Sequence, residues 1–138
     1  MRFFFDRNIA PRLAHGLAGF YPDDGIVHQD DDKRFTKDSK DVFIIQTLAQ
    51  QDPPPVFLTC DLNMRRKYPD ERKALANSGL SVVFLKKNWN NLPFPEQARK
   101  IITAWPSIIE ATEDLRIPTA FEITVNGKIE RLGPISNL

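Results

Sequence analysis

A chain of 138 residues, 41% hydrophobic and 27% charged, has the composition of one globular domain with enough length to bury a core. Nineteen Lys and Arg against eighteen Asp and Glu leave a formal charge of +1, so net charge neither favours nor excludes a nucleic-acid partner and only its placement can speak. A single cysteine, Cys60, excludes an internal disulfide and, with only two histidines, argues against a Cys/His zinc site. The run after Met1 is too short for a secretory leader and no stretch approaches 18 apolar residues, so a cytoplasmic protein is expected.

Phe3–Phe5 is a short continuous apolar run, as expected of a strand buried on both faces, and it ends on Asp6. Residues 11–19 carry Leu13, Ala14, Leu17 and Ala18 at helical spacing, with Asn8 as candidate cap and Gly19 as candidate stop. A second strand is expected over Gly25–His28, running into Asp30, Asp31 and Asp32. Ser39 is placed to cap a second helix whose Val42, Phe43, Ile45, Leu48 and Ala49 suit a buried face. Asp52-Pro53-Pro54-Pro55 cannot continue that helix. Val56–Cys60, the most apolar strand, ends on Asp61.

Pro69, followed by Asp70 and Glu71 in the first turn, opens a helix that runs to about residues 77–79. Ser81–Leu85 reads as a fourth strand, and the stretch from Pro95 to about Leu115 as a helix bent or broken at Trp105-Pro106. Around Asn126-Gly127 the tail has a hairpin signal over about residues 120–133, since Asn-Gly suits a type I′ turn. A two-residue loop sets Val125 opposite Lys128, and a bulged register sets it opposite Ile129. Strand and helix alternate four times before the hairpin, which predicts an α/β fold with a mostly parallel sheet and helices on both faces.

Three strands thus run out onto aspartates. In a parallel sheet these converge at the C-terminal edge, where open α/β sheets bind ligands. Carboxylates ~4 Å apart repel by ~1 kcal/mol in water and ~4 kcal/mol at an effective dielectric near 20, so a protein that collects them commonly places a divalent cation among them. Asp6, Asp61 and Asp41, the last in the first turn of the second helix, are the candidate ligands for Mg²⁺ or Mn²⁺. Asn63 offers a neutral oxygen, and Thr59 a hydroxyl to orient the Asp61 carboxylate. Arg7, Lys33, Arg34, Lys37, Lys40, Arg65, Arg66, Lys67, Lys86 and Lys87 flank the same edge, an arrangement suited to a phosphodiester backbone. Each residue taken alone has a structural alternative. A strand-end Asp can be a loop or cap residue, Asp41 a helix-dipole residue, Asp30–Asp32 a solvated loop and the basic runs solvated faces. Trp89, Trp105, His15 and His28 are read as structural.

Phe5-Asp6-Arg7-Asn8 with Pro11-Arg12-Leu13 resembles the opening Asp-Glu-Asn-x-x-Pro-x-Leu of PIN-like domains, and Leu58–Asn63 resembles their strand-end Thr-x-Asp motif. Tyr68–Leu75, Lys87–Phe94 and Glu96-Gln97 are similar to the VapC-type subset, so the resemblance covers about residues 2 to 132. It implies a single three-layer domain and a Mg²⁺- or Mn²⁺-dependent endoribonuclease, typically the toxin of a type II toxin–antitoxin pair. An RNA substrate and a cognate antitoxin protein are the implied partners, and a homodimer is compatible with it. Carried over, Asp6, Asp41 and Asp61 are metal-binding acids with Asn63 at the fourth position. Asp6 and Asp61 then hold the ion directly, Asp41 holds it or orients its waters, Asn8 and Thr59 support them, and Arg7, Lys37, Arg65 and Arg66 hold RNA. Arg7 stands where an acid is often found and Asn63 where an Asp is common; both departures remove negative charge and leave one versus two metals open. Two rivals stand beside this reading: a phospho-receiver domain using a strand-end Asp and Lys86, and a PIN-like module that binds RNA or protein without cutting.

Overall fold

A computed structural model describes residues 1–61 and 69–138. Among them the strands are β1 (Arg2–Phe5), β2 (Gly25–His28), β3 (Val56–Thr59), β4 (Val82–Leu85), β5 (Thr119–Ile123) and β6 (Ile129–Pro134). The helices are α1 (Pro11–Phe20), α2 (Asp41–Ala49), α3 (Pro69–Ser78) and α4 (Phe94–Thr112). One six-stranded sheet has the order β2-β1-β3-β4-β5-β6. The first five strands are parallel and β6 closes an antiparallel hairpin on β5. The α/β prediction is borne out.

Alternate side chains of the central strands leave on opposite faces, and both faces are covered. Phe3, Phe5, Leu58, Val83, Leu85, Phe121 and Ile123 pack with Leu13, Leu17, Trp105 and Ile108 of α1 and α4. Phe4, Phe57, Val82, Phe84 and Ala120 pack with Ile44, Ile45, Leu48 and Leu75 of α2 and α3. Three layers result, and this two-sided burial is why the strand sequences run apolar without alternation. Each such side chain fully removed from water contributes about 1.5–3 kcal/mol. The Phe3 ring meets the Trp105 indole edge-on at 4.7 Å between centroids. No helix among the described residues is long and apolar enough to cross a membrane.

Local details depart from expectation in instructive ways. Asn8 does not cap α1: Ala10 occupies that position without a side-chain bond, and Pro11 opens the helix, where its missing N–H costs nothing. Gly19 does not stop α1, which runs on to Phe20. Ser39 does not cap α2 either; Lys40 does so without a side-chain bond, while Ser39 Oγ accepts the Thr36 N–H at 2.8 Å. The buried face of α2 is Ile44, Ile45 and Leu48, leaving Phe43 51% exposed.

Helix α4 passes through Pro106 unbroken. Proline cannot donate to the carbonyl four residues back, and that carbonyl, of Ile102, instead takes the Tyr21 hydroxyl at 3.4 Å. The hairpin adopts neither anticipated register. Ile123 faces Ile129, Thr124 N–H donates to Lys128 O and Gly127 N–H to Thr124 O, both at 2.9 Å, and Gly127 alone in the loop takes φ +82°. A turn followed by one left-handed glycine gives a longer loop than a type I′ turn, which needs two left-handed residues.

Candidate metal centre

The 2-1-3-4-5 order of the parallel strands reverses between β1 and β3, and open sheets bind ligands at that reversal. Asp6 is the first residue past β1, and its N–H continues the ladder to Leu58 O at 2.9 Å. Its side chain is buried, with the residue 5% exposed. Thr59 Oγ1 donates to Asp6 Oδ2 and the Arg7 N–H to Oδ1, each at 2.8 Å. The same Thr59 oxygen accepts the Asp61 N–H at 2.9 Å and Asn8 Nδ2 at 3.4 Å, and Asn8 Oδ1 accepts the Cys60 N–H at 3.0 Å. A hydroxyl has one proton and two lone pairs, and Thr59 uses all three. Its donated bond goes to the Asp6 carboxylate, whereas Asp61 meets it through the backbone. Asn8, lost as a helix cap, splices the ends of β1 and β3 together.

Burial pushes the Asp6 carboxyl up to about 6; the Asp41 and Asp61 charges add to that push, and the Thr59 and Arg7 hydrogen bonds oppose it. Removing the hydroxyl has a readable consequence. Thr59→Val should move the acid limb of any metal-dependent activity to higher pH and lower the rate by about 10- to 100-fold, the usual scale for a group that orients a ligand. A pH–rate profile unchanged from wild type would contradict that role.

Asp41 is the first residue of α2, Asp61 lies two residues past β3 and Glu71 is the third residue of α3. Each offers one carboxylate oxygen within 4.8 Å of the others, and Asp6 stands outside that set. Burial, then the charges of Asp41 and Asp61, pushes the Glu71 carboxyl up to about 7. Burial, then Asp61, raises Asp41. Glu71 Oε2 is buried with no hydrogen-bond partner among the described residues. Hard oxygen donors, one of them buried and orphaned, in a site where carboxyls hold protons above their usual range, fit a divalent cation such as Mg²⁺ or Mn²⁺.

Asp6, Asp41 and Asp61 line one open concavity of about 430 Å³, whose other walls include Arg7, Asn8, Gln29, Asp30 and Lys37. Arg7 donates through Nη1 to Lys37 O at 3.0 Å, and its Nε lies 3.8 Å from Asp30. Arg34 and Lys86 are engaged elsewhere. Arg34 is held on Asp32 and Gln51, and Lys86 lies between Glu122 and Glu130 at 3.5 and 3.9 Å. Asn63, Arg65, Arg66 and Lys67 lie outside the described residues.

The residues read as structural have structural partners. Trp89 Nε1–H donates to Ile123 O and Trp105 Nε1–H to Asp24. His28 is buried between Ile9 O and the Asp30 N–H, and His15 meets Asp31 at 2.6 Å on the surface. Burial pushes the Cys60 thiol up to about 12, which keeps it inert. Glu71 is the member of the cluster that sequence reasoning did not single out as a ligand. Its only signal was its place beside Asp70 in a first helical turn, which equally suits a helix-dipole residue.

No curated protein and no solved structure matches the chain. A family model described as PIN like domain matches residues 1–87, which include both switch-point strands and Asp6, Asp41, Asp61 and Glu71. With nearly two-thirds of its length in that match, the chain belongs to the PIN-like domain family.

Proposed function

We propose that this protein is a Mg²⁺- or Mn²⁺-dependent endoribonuclease that hydrolyses RNA phosphodiester bonds, and that it is the toxin of a type II toxin–antitoxin pair. The observation that carries the nuclease reading is the convergence of Asp6, Asp41 and Asp61, 35 and 20 residues apart along the chain, on one concavity at the sheet's switch point. A divalent ion bound there supplies Lewis-acid stabilisation of the phosphoryl oxygens and makes water a competent nucleophile at neutral pH. The chain's own groups do the rest. Asp41 and Asp61 hold the ion, and Asp6, fixed by Thr59 and the Arg7 N–H, orients the water that attacks in line. Arg7 and Lys37, on the wall of the same concavity, hold the phosphate backbone.

The toxin assignment rests on the similarity of segments 68–75, 87–94 and 96–97 to the VapC-type subset. Its test is growth arrest on expression, relieved by the product of a small adjacent reading frame. The nuclease test is simpler: purified protein should cleave single-stranded RNA internally with Mn²⁺ and leave it intact with EDTA. RNA that survives both conditions overturns the reading. Lys37→Ala should weaken RNA binding across sequences alike and lower the slope of log affinity against log salt by about one; a sequence-dependent loss would contradict a backbone role.

The geometry disfavours a phospho-receiver. Lys86 faces Glu122 and Glu130, and the residue beside Asp6 is a cation instead of a second acid. Labelling of Asp61 by acetyl phosphate would reverse that judgement. A silent binding module predicts no Mn²⁺ uptake by calorimetry, either free or with RNA.

A further inference from the structure

We propose that Gln29 is a positioning residue for the substrate: its buried carboxamide fixes the turn that carries Lys37, and so sets a cation that grips the RNA backbone. This rests on the RNA-cleaving reading above and specifies how that site holds its substrate.

Gln29 is 3% exposed, although it follows the edge strand β2 and precedes the exposed Asp30. Burying a carboxamide is unfavourable unless its polar atoms are bonded. Both ends of this one are bonded, and each to the backbone of another segment. Oε1 accepts the Arg7 N–H at 3.2 Å, 22 residues away, and Nε2 donates to Thr36 O at 3.3 Å. The short helical turn Gln29–Asp31 is itself held. The His28 ring donates to Ile9 O at 2.7 Å and accepts the Asp30 N–H at 3.0 Å.

What Gln29 reaches is a turn already bonded within itself. Ser39 Oγ accepts the Thr36 N–H at 2.8 Å, Thr36 Oγ1 accepts the Asp38 N–H at 3.2 Å, and the Ser39 N–H donates to Thr36 O at 3.2 Å. Lys37 sits within these bonds and lines the concavity together with Gln29 and Arg7. Two side chains tie this turn to the exit of β1: Gln29 through Thr36 O, and Arg7 through Nη1 to Lys37 O at 3.0 Å. Because Gln29 also holds the Arg7 N–H, it stands behind both ties. A lysine whose backbone is fixed beforehand has less freedom to lose when it meets a phosphate. An apolar side chain of equal length would fill the space and tie neither segment. Phe35, buried against Phe4, anchors the chain just before the turn, so loss of the amide loosens the turn without unfolding the layer beneath it.

The experiment is steady-state cleavage of single-stranded RNA by the full chain with Mn²⁺, for wild type, Gln29→Met, Lys37→Ala and the double variant. Methionine keeps the length and removes both hydrogen bonds. Gln29→Met should raise KM by about threefold to tenfold, the scale of one phosphate contact at about 0.1 M salt. Its kcat should stay within about twofold, because the loss is of binding common to ground and transition states. In the Lys37→Ala background the same substitution should raise KM by less than about twofold, since its effect passes through that lysine. A purely structural amide would lower the melting temperature and leave KM at the wild-type value. That result would overturn the inference and leave the nuclease reading standing. So would a loss that falls on kcat, or one of equal size with and without Lys37. Absence of RNA cleavage by wild type would overturn both. Should Gln29→Met fail to fold, Gln29→Asn decides the matter, because it keeps the amide and draws it back by one methylene. A wild-type KM in that variant would equally overturn the assignment.

Discussion

Asp6→Asn gives a folded protein whose Mn²⁺-dependent cleavage of RNA falls by about a thousandfold or more, the scale of the several kcal/mol a metal-centred step commands. The fold survives for identifiable reasons. Asparagine has the same shape, and its amide oxygen still accepts from the Arg7 N–H or the Thr59 hydroxyl. Burial and the Asp41 and Asp61 charges oppose ionisation at this position, so a neutral side chain relieves repulsion in the metal-free protein. Chemical denaturation should therefore return a stability within about 1 kcal/mol of wild type. Cleavage at the wild-type rate by a folded Asp6→Asn protein would remove Asp6 from the chemistry.

The second large effect is on stability. Without divalent ions, the protein should lose stability as pH climbs through the range where Asp6 and Glu71 ionise. In the folded state their carboxyls are held up at about 6 and about 7, above their usual 3.8 and 4.5. The folded chain therefore holds protons that the unfolded chain has released. That stabilising contribution is complete below about pH 4 and is gone once pH has passed through about 7. Because Glu71 is only partly buried, solvent screening limits its share to about 1 kcal/mol. Mn²⁺ competes with those protons and binds better as pH rises. At a hundredfold excess over its dissociation constant it should restore about 2.7 kcal/mol, a rise of roughly 10 °C in melting temperature for a domain of this size. Melting curves at pH 5 and 7.5, with Mn²⁺ and with EDTA, check it. Melting temperatures that ignore both pH and metal would contradict the electrostatic account of the site.

What was legible in the chain is what the backbone dictates by periodicity. Phe3–Phe5, Val56–Thr59 and Val82–Leu85 are buried on both faces and read as continuous apolar runs, so the parallel sheet could be anticipated. Asp6 and Asp61 follow from their places at strand ends, and Asp41 from its place opening a helix. Their common concavity required no information beyond strand order. Tertiary detail was hidden. Glu71 and Asp70 are adjacent acids in one helical turn, and only the packing of α3 beside α2 puts one into the cluster and the other into solvent. Asn8 and Ser39 carry cap-type side chains, yet their hydrogen-bonding oxygens go to Cys60 and Thr36, because partners distant in the helix-cap sense were nearer in space. The hairpin register escaped for a related reason. Val125 packs against the core cluster and its carbonyl accepts from Lys100, contacts that favour the longer loop over a two-residue turn.

The account depends on acids remote in sequence sharing one divalent ion at the end of β1 and β3. Anomalous diffraction from a crystal soaked in Mn²⁺ tests that most directly. A single strong peak within coordination distance of the Asp41 and Asp61 carboxylates is the expected result. A soaked crystal with no manganese in that concavity, or with the ion bound elsewhere, would contradict it.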